Sequence, residues 1–339
     1  MRRVTTAAMI GAALLLAGCS SSSPSSTSGS TGNSNSGASA PVTVRLGLLS
    51  NITHASALIA LKEGYFTKAL GSAGTLKATA FSSGTEETTA ILAGQLDAAY
   101  VGPNPAITAW QKAANIQIIS GAATGGASIV VKKGITSAAQ LKGKSLATPS
   151  LGNTQDVALR YWLKQNGVTT NTTGGGDAFI KPTKPNSAAV LQFKSGQIAG
   201  GSEPAPYDIQ MVQDGGTVLL SEPGVTTLLI VTKSFLSAHP AIVTDLLKAQ
   251  VQANAFIKSN PAQAQADANA ELASYTGKPL KADLIAASFK EITFTNDPNQ
   301  ASLKTDADQA VSLGLLKPVN LDGIYDLGPL NKVLASAAG

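Results

Sequence analysis

Four short polar runs carry the residues best suited to holding a small charged molecule: Ser50-Asn51-Ile52-Thr53-His54, Ser82-Ser83-Gly84-Thr85, Gly102-Pro103-Asn104 and Ser150-Leu151-Gly152-Asn153-Thr154. Each is rich in hydroxyl and amide side chains and opens a helix-forming segment. The first turn of a helix has unpaired amides and the positive end of the helix dipole. Several helix starts aimed at one gap therefore make an anion site that needs no Lys or Arg. The group that suits it is a sulfonate, a nitrate or a carboxylate. Candidates for contact are Asn51, His54, Ser83, Gly84, Thr85, Asn104, Asn153 and Thr154. Taken singly, each such polar residue is explained by capping its own helix; the binding reading depends on their convergence. His54 at a helix start could donate to an anionic or carbonyl oxygen, or could be a half-exposed helix-start residue. The helix end lowers its pKa by opposing added positive charge. A fifth run, Ser202-Glu203, adds an acid that would pair with a ligand amine or steady the helix after it.

The elements that must position these runs are legible around residues 82–106. Ser83 can accept from the amide of Glu86 while Glu86 reaches back, the capping-box pattern, and Gly94 sits where a left-handed helix stop is wanted. Leu96-Asp97-Ala98-Ala99-Tyr100-Val101 then reads as a short strand. Asn104 is expected as the N-cap of the next helix, with Pro105 at its first position. Residues 186–207 repeat the design: Gly196-Gln197-Ile198-Ala199-Gly200 aligns with Gly94-Gln95-Leu96-Asp97-Ala98, which puts Ser202-Glu203-Pro204-Ala205 near the Gly102 loop. This spacing is too long for a solenoid and implies two lobes of similar topology. Asp97 has Ala199 as its counterpart, so any role needing an acid there belongs to one lobe; holding a loop is the reading favoured for Asp97.

Along the rest of the chain, strands are expected at 42–49, 77–81, 116–120 and 128–131, with a helix at 54–63 stopped by Gly64. Strands at 143–147, 217–220 and 226–232 and a helix at 154–166 capped by Asn153 continue the rhythm, which is that of an α/β fold with parallel strands. Beyond Lys233 the texture is helical, with helices reaching Ser259 and Gly277 and others at 279–288, 299–313 and 330–338. This tail is read as a buttress folded on the first lobe. Tyr100, Tyr207 and Trp110 could wall a cleft, with core packing the default for each.

Several function classes are excluded. The 339 residues are 43% apolar and only 13% charged, enough for two ordinary cores. The formal charge of +5 falls to +3 without Arg2 and Arg3, and no basic run or aromatic interleaving of nucleic-acid type is present. Gly143-Lys144-Ser145 fails as a phosphate-binding loop because Ala138 stands where its first Gly is required. Neither Gly-x-Ser-x-Gly in the folded part nor His-Glu-x-x-His occurs, and Glu86-Glu87 point different ways on a helix. With two His and one Cys, no metal or cofactor is expected.

The N-terminus reads as a secretory signal over residues 1–18: basic Arg2-Arg3, an apolar stretch at 4–17, then Leu16-Ala17-Gly18-Cys19. Those last four residues resemble the bacterial lipoprotein box, which implies cleavage before Cys19 and a diacylglycerol on its sulfur. The Ser-, Thr- and Gly-rich residues 20–40 cannot bury enough apolar surface to fold. They are expected to form a flexible tether with a reach of roughly 25 Å, so that lipidated Cys and tether together would cover residues 19–41.

Taken together, Ala60-Leu61-Lys62-Glu63-Gly64-Tyr65-Phe66, the run from Ala93-Gly94-Gln95-Leu96-Asp97 through Gly102-Pro103-Asn104-Pro105-Ala106, Leu141-Lys142-Gly143-Lys144-Ser145 and Ser202-Glu203-Pro204 resemble the solute-binding proteins of ABC importers, in the nitrate, sulfonate and taurine-binding group. The resemblance covers about residues 42–268. It implies a two-lobe, type II periplasmic-binding-protein-like fold, with residues 42–131 plus 230–339 as lobe 1, residues 132–229 as lobe 2, and crossings near Val130-Val131 and Ile230-Val231. The implied function is non-enzymatic: capture of a small organic anion between the lobes, outside the cytoplasmic membrane, for delivery to an ABC permease. A monomer is expected. The alternatives are a heteroaromatic solute such as a thiamine-precursor pyrimidine or flavin, a pyrimidine-synthase-like enzyme on the same fold, and a scaffold lipoprotein with no small ligand.

Overall fold

A computed structural model of the chain describes residues 40–338. The expected signal segment, the expected lipidation site Cys19 and all but the last residues of the expected tether lie outside them. Two sheets organise the molecule. The chain runs β1 (Val42–Leu49), a 3-10 turn (Ile52–His54), α1 (Ala55–Lys62), α2 (Tyr65–Leu70), β2 (Gly74–Phe81), α3 (Gly84–Leu92), β3 (Ala98–Val101), α4 (Pro103–Ala113) and β4 (Ile116–Gly125). It then builds the second sheet with β5 (Ala127–Lys132), β6 (Ser145–Thr148), α5 (Thr154–Gln165), β7 (Phe179–Pro182), α6 (Asn186–Lys194), β8 (Gly200–Pro204), α7 (Tyr207–Gln213) and β9 (Gly216–Ser221). It returns through β10 (Val225–Thr232), α8 (Lys233–Ala238), α9 (Pro240–Ser259), α10 (Pro261–Thr276), α11 (Ala282–Lys290), β11 (Ile292–Phe294), α12 (Gln300–Ser312) and α13 (Gly328–Ala338).

The strand orders are β11-β4-β10-β3-β1-β2 and β7-β6-β8-β5-β9. In each sheet three strands are parallel, β2-β1-β3 and β7-β6-β8, and the remaining pairings are antiparallel. The sheets are thus mixed rather than predominantly parallel, because the strands carrying the chain between lobes run against their neighbours. The internal copy is real at the level of register. Ala98 pairs with Leu46 of β1, and its counterpart Gly200 pairs with Leu146 of β6. Gly94 and Gly196 precede them with positive φ of 70° and 79°, the conformation for which a helix stop favours glycine.

The crossings fall elsewhere than at Val130-Val131 and Ile230-Val231. β4 ends at Gly125 and β5 begins at Ala127, while β9 ends at Ser221 and β10 begins at Val225. The first passage is Gly125-Gly126, both at positive φ, where a side chain would also strike Glu291 and Ile292. The apolar run 127–131 therefore belongs wholly to the second sheet.

Both faces of the first sheet are covered, which is why β10 is buried along its whole length, with the apolar run Leu228 to Val231 at its middle. Leu229 and Val231 pack with Leu46, Leu48 and Tyr100 against α1 and α9. Leu228 and Ile230 face the opposite way, onto Ile107, Trp110 and Leu303. The helical tail packs on this lobe as expected, with α9 and α10 against α1. One tail helix does more: α12 lies against α4 and also against α5 of the second lobe. The three residues of β11 and the six of α8 were not foreseen; each is too short to show a period. No helix among the described residues is long and apolar enough to cross a membrane.

Candidate functional site

The polar runs meet where the lobes face each other. A cavity of about 20 Å³ is lined by Asn51 and His54, by Gly84, by Gly102, and by Asn153 and Thr154, so all four runs reach it. Leu49, Thr53, Pro105, Gln155, Pro204 and Thr226 complete the wall. No Lys or Arg is among these residues. What it offers an anion is the starts of α1, α3, α4 and α5 with their dipoles and first-turn amides; α4 contributes the Asn104 amide alone, since Pro103 and Pro105 have no N–H.

Local sequence explains how the starts come so close. Ser83 accepts from the Glu86 amide at 3.5 Å and caps α3. Glu86 does not reach back, because its carboxylate pairs with Lys184 of the opposite lobe at 2.6 Å, so the capping box is half made. Asn153 caps α5 as predicted, accepting from the Asp156 amide at 3.0 Å. Gly102, not Asn104, is the N-cap of α4, and Pro103 takes its first position. A Cβ on Gly102 would collide with the Thr154 hydroxyl, and one on Gly84 with Pro105. Glycine at 102 is what lets the starts of α4 and α5 touch across the lobes, and glycine at 84 lets the starts of α3 and α4 touch within the first lobe.

Several candidates are placed differently from expectation. Asn104 is buried in the first turn of α4; its Nδ2 donates to the Asp306 carbonyl at 3.1 Å and its Oδ1 has no partner. Glu203 lies inside β8 rather than on a loop: in the register that matches Gly200 to Ala98 it is the counterpart of Val101, the last residue of β3, and β8 continues one residue further, through Pro204. Its carboxylate is fully buried with neither oxygen hydrogen-bonded. Burial, with the charges of Asp208 and Glu222 adding, raises its pKa well above the ordinary value. Thr85 is drawn from the cavity into a lobe-to-lobe bond with Ser150, Oγ1 to Oγ at 2.6 Å.

His54 is buried and wholly engaged. Its Nε2 lies 2.9 Å from the Tyr100 carbonyl, which can only accept, so Nε2 carries the proton. Nδ1 is then an acceptor, 2.9 Å from the Asn51 amide group, which must turn its nitrogen toward the ring. Burial pushes the imidazole pKa down to about 3, so the ring is neutral near pH 7. Both nitrogens being committed to the protein, His54 sets the shape of the cavity wall and has no spare donor.

The aromatic residues divide. Tyr100 is core, its hydroxyl donating to Gln250 Oε1 at 2.7 Å, and Trp110 donates to the Asn320 carbonyl at 2.8 Å. Tyr207 joins the lobes by donating to the Ser50 carbonyl at 3.0 Å, beside the Ile52 amide that donates to the Ala205 carbonyl at 2.9 Å. Asp97 holds a loop, clamping Arg45 through the backbone amide at 2.8 Å and the guanidinium at 2.9 and 2.5 Å. Gln155, Pro204 and Thr226 were missed as wall residues; nothing in their local sequence marks them, since each is brought in by the meeting of the lobes.

Comparison with known proteins agrees with this architecture. The alkanesulfonate-binding protein SsuA from Xanthomonas axonopodis pv. citri, bound to MOPS, is 18% identical with a TM-score of 0.71, covering 84% of this chain and 98% of its own. The nitrate-binding protein NrtA from Synechocystis PCC 6803 is 16% identical with a TM-score of 0.73, covering 87% and 89%. The ligand-binding component of an ABC-type import system from Staphylococcus aureus is 13% identical with a TM-score of 0.71, covering 86% and 99%. At such identities the likeness shows the fold, that of periplasmic binding proteins. No curated protein matches the chain in sequence. The profile of the NMT1-like family matches residues 37–274, and the chain belongs to that family.

Proposed function

We propose that the chain is the extracytoplasmic solute-binding component of an ABC importer, capturing a small organic anion of sulfonate, taurine-like or nitrate-like type between its lobes. The observation that carries this is the convergence of four helix starts on one cavity without a basic side chain, an arrangement that favours an anion through amides and dipoles. Family membership and the likeness to sulfonate- and nitrate-binding proteins support the same reading. So do the inter-lobe contacts through Thr85, Glu86 and Tyr207, which a hinge motion would make and break around the solute. No Phe, Tyr or Trp lines the cavity itself; the pocket that shares Leu49 and Asn51 with it has Phe81, Tyr207 and Tyr275 in its wall, so heteroaromatic solutes belong in the test. His54 has no free nitrogen for the pyrimidine-synthase chemistry. We place the protein on the outer face of the cytoplasmic membrane, a monomer anchored by lipid at Cys19 and serving a permease.

A thermal-shift screen tests this, because a ligand specific for the native state raises the melting temperature by mass action. Ethanesulfonate, acetate, nitrate, a hydroxymethylpyrimidine and riboflavin form the panel. Stabilisation by an anion, weakened at least tenfold in concentration by Thr154→Val, is the expected result. Stabilisation by the pyrimidine or flavin alone would contradict it.

A further inference from the structure

Four carboxyl groups gather where the chain crosses between the lobes: Glu203 on β8, Asp208 on α7, Glu222 just after β9 and Glu291 just after α11. Glu203 is wholly buried with both oxygens unpartnered. Asp208 is 1% exposed; its Oδ1 accepts from the Ile209 amide at 2.8 Å and its Oδ2 has no partner. Glu222 is buried and accepts from Ser202 Oγ at 2.5 Å. Only Glu291 is exposed. An opening of about 380 Å³ between the two crossings has Gly125, Gly126, Glu222, Pro223 and Glu291 in its wall and no Lys, Arg or His. Among the described residues none of the four acids forms an ion pair.

What shuts Glu203 and Asp208 in is the first lobe. Ala205 and Ile209, from the same segment, pack into its core with Ile52 and Ile292, and α7 lies against α11. The bonds from Ile52 to Ala205 and from Tyr207 to Ser50 tie that segment across the seam. A hinge motion that parts the lobes breaks these contacts and brings water to residues 203–208. A carboxyl with no partner and no counter-ion is disfavoured as an anion while dry and ionises when wet. The other groups around the cluster supply no positive charge. Asp306 of α12, near Glu222, is a further acid. His54, which shares the cavity wall with Pro204, is neutral near pH 7. The Tyr207 hydroxyl is pushed up to about 12 by burial and then by Glu203, and Lys290 is exposed beside Glu291.

We propose that these acids make the hinge a proton-linked switch: closure of the lobes takes up protons, so acid favours the closed form and alkali the open one. The device belongs to the hinge and holds whatever the solute is. Burial lifts Glu203 well above the ordinary carboxylate range, with the charges of Asp208 and Glu222 adding. Burial first and the Glu291 charge second do the same for Asp208, and Glu222 stands at about 7. Groups raised in the closed form favour closure fully below their ordinary range and lose that advantage as pH rises through 7 and beyond.

The experiment measures the distance between the lobes in the ligand-free, full-length chain, so its outcome does not depend on the anion reading. Spin labels go on Thr89→Cys of α3 and Ser187→Cys of α6, exposed positions on helices whose starts meet at the Glu86–Lys184 bond; Cys19→Ser removes the native thiol. Double electron–electron resonance from pH 5.5 to 8.5 then gives the ratio of closed to open molecules. The expected result is a ratio at least tenfold higher at pH 5.5 than at pH 8.5. The triple variant Glu203→Gln, Asp208→Asn, Glu222→Gln should hold its ratio within threefold over that range, with melting at pH 5.5 showing that it is folded. Glu203→Gln alone should make the dependence less steep by about one proton, which keeps the test decisive if the triple variant does not fold. A ratio that ignores pH in the wild type, or a pH dependence undiminished in these variants, overturns the inference.

Discussion

Glu222 illustrates how one buried side chain ties stability to pH. Its folded pKa of about 7, raised by burial against an opposing bond from Ser202, exceeds its unfolded value of 4.5. The folded state therefore holds a proton that the unfolded state has already lost, and the penalty appears as pH rises between those two values. Glu222→Gln removes it while keeping an acceptor for Ser202. The variant should match the wild type at pH 4 and exceed it by up to about 3 kcal/mol at pH 8, measured by urea unfolding of the ligand-free protein. Equal stability at both pH values would mean that the carboxylate is solvated. His54 has the opposite sign: its pKa lies far below that of an unfolded His, so acidification below about 6.5 favours the unfolded chain. No base at this position is needed to explain its burial, since shape and two hydrogen bonds account for it.

At the scale of elements, the start of α5 depends on a partner deep in the second lobe. Asp156 accepts from the Gly152 amide at 2.8 Å and from Arg160 Nε at 2.8 Å, and Thr148 Oγ1 donates to it at 3.2 Å. Arg160 is itself buried and also donates to the Asn171 carbonyl. Asp156→Ala strands that guanidinium and frees the turn carrying Asn153 and Thr154. It should cost about 3–5 kcal/mol in chemical unfolding and weaken solute binding; a loss under 1 kcal/mol would mean that Arg160 finds another acceptor. Elements of this kind were legible where the signal is local. Ser83 and Asn153 were readable as caps because capping chemistry sits within three residues of the helix it starts. Pro103 and Pro105 can both open a helix, which is why the sequence points equally well to Asn104 as the cap; the extended backbone of Gly102 shows that α4 opens at the earlier proline. Glu203 looked like a loop acid because a charged residue inside a buried strand has no sequence signature. The crossing at Gly125-Gly126 did carry a signal, two adjacent glycines, which the apolar run after them outweighed.

At the scale of the whole molecule, the repeated topology is what turns four ordinary helix starts into a site. The three parallel strands of each lobe deliver their following loops to one edge, where ligands of open α/β sheets lie, and the two edges face each other. That convergence followed from the repeat of Gly94-Gln95-Leu96 as Gly196-Gln197-Ile198. The wall positions of Pro204 and Thr226 did not, because β8 and β10 belong to different sheets and meet there only through the fold. The measurement that tests the central claim most directly is amide hydrogen exchange of the full-length protein with and without a saturating anion. Exchange should slow together at residues 84–87, at Asn104 and Ala106, and at residues 154–157, in the first turns of α3 and α4 in one lobe and of α5 in the other. Protection confined to one lobe, or lying away from these turns, would contradict capture between the two.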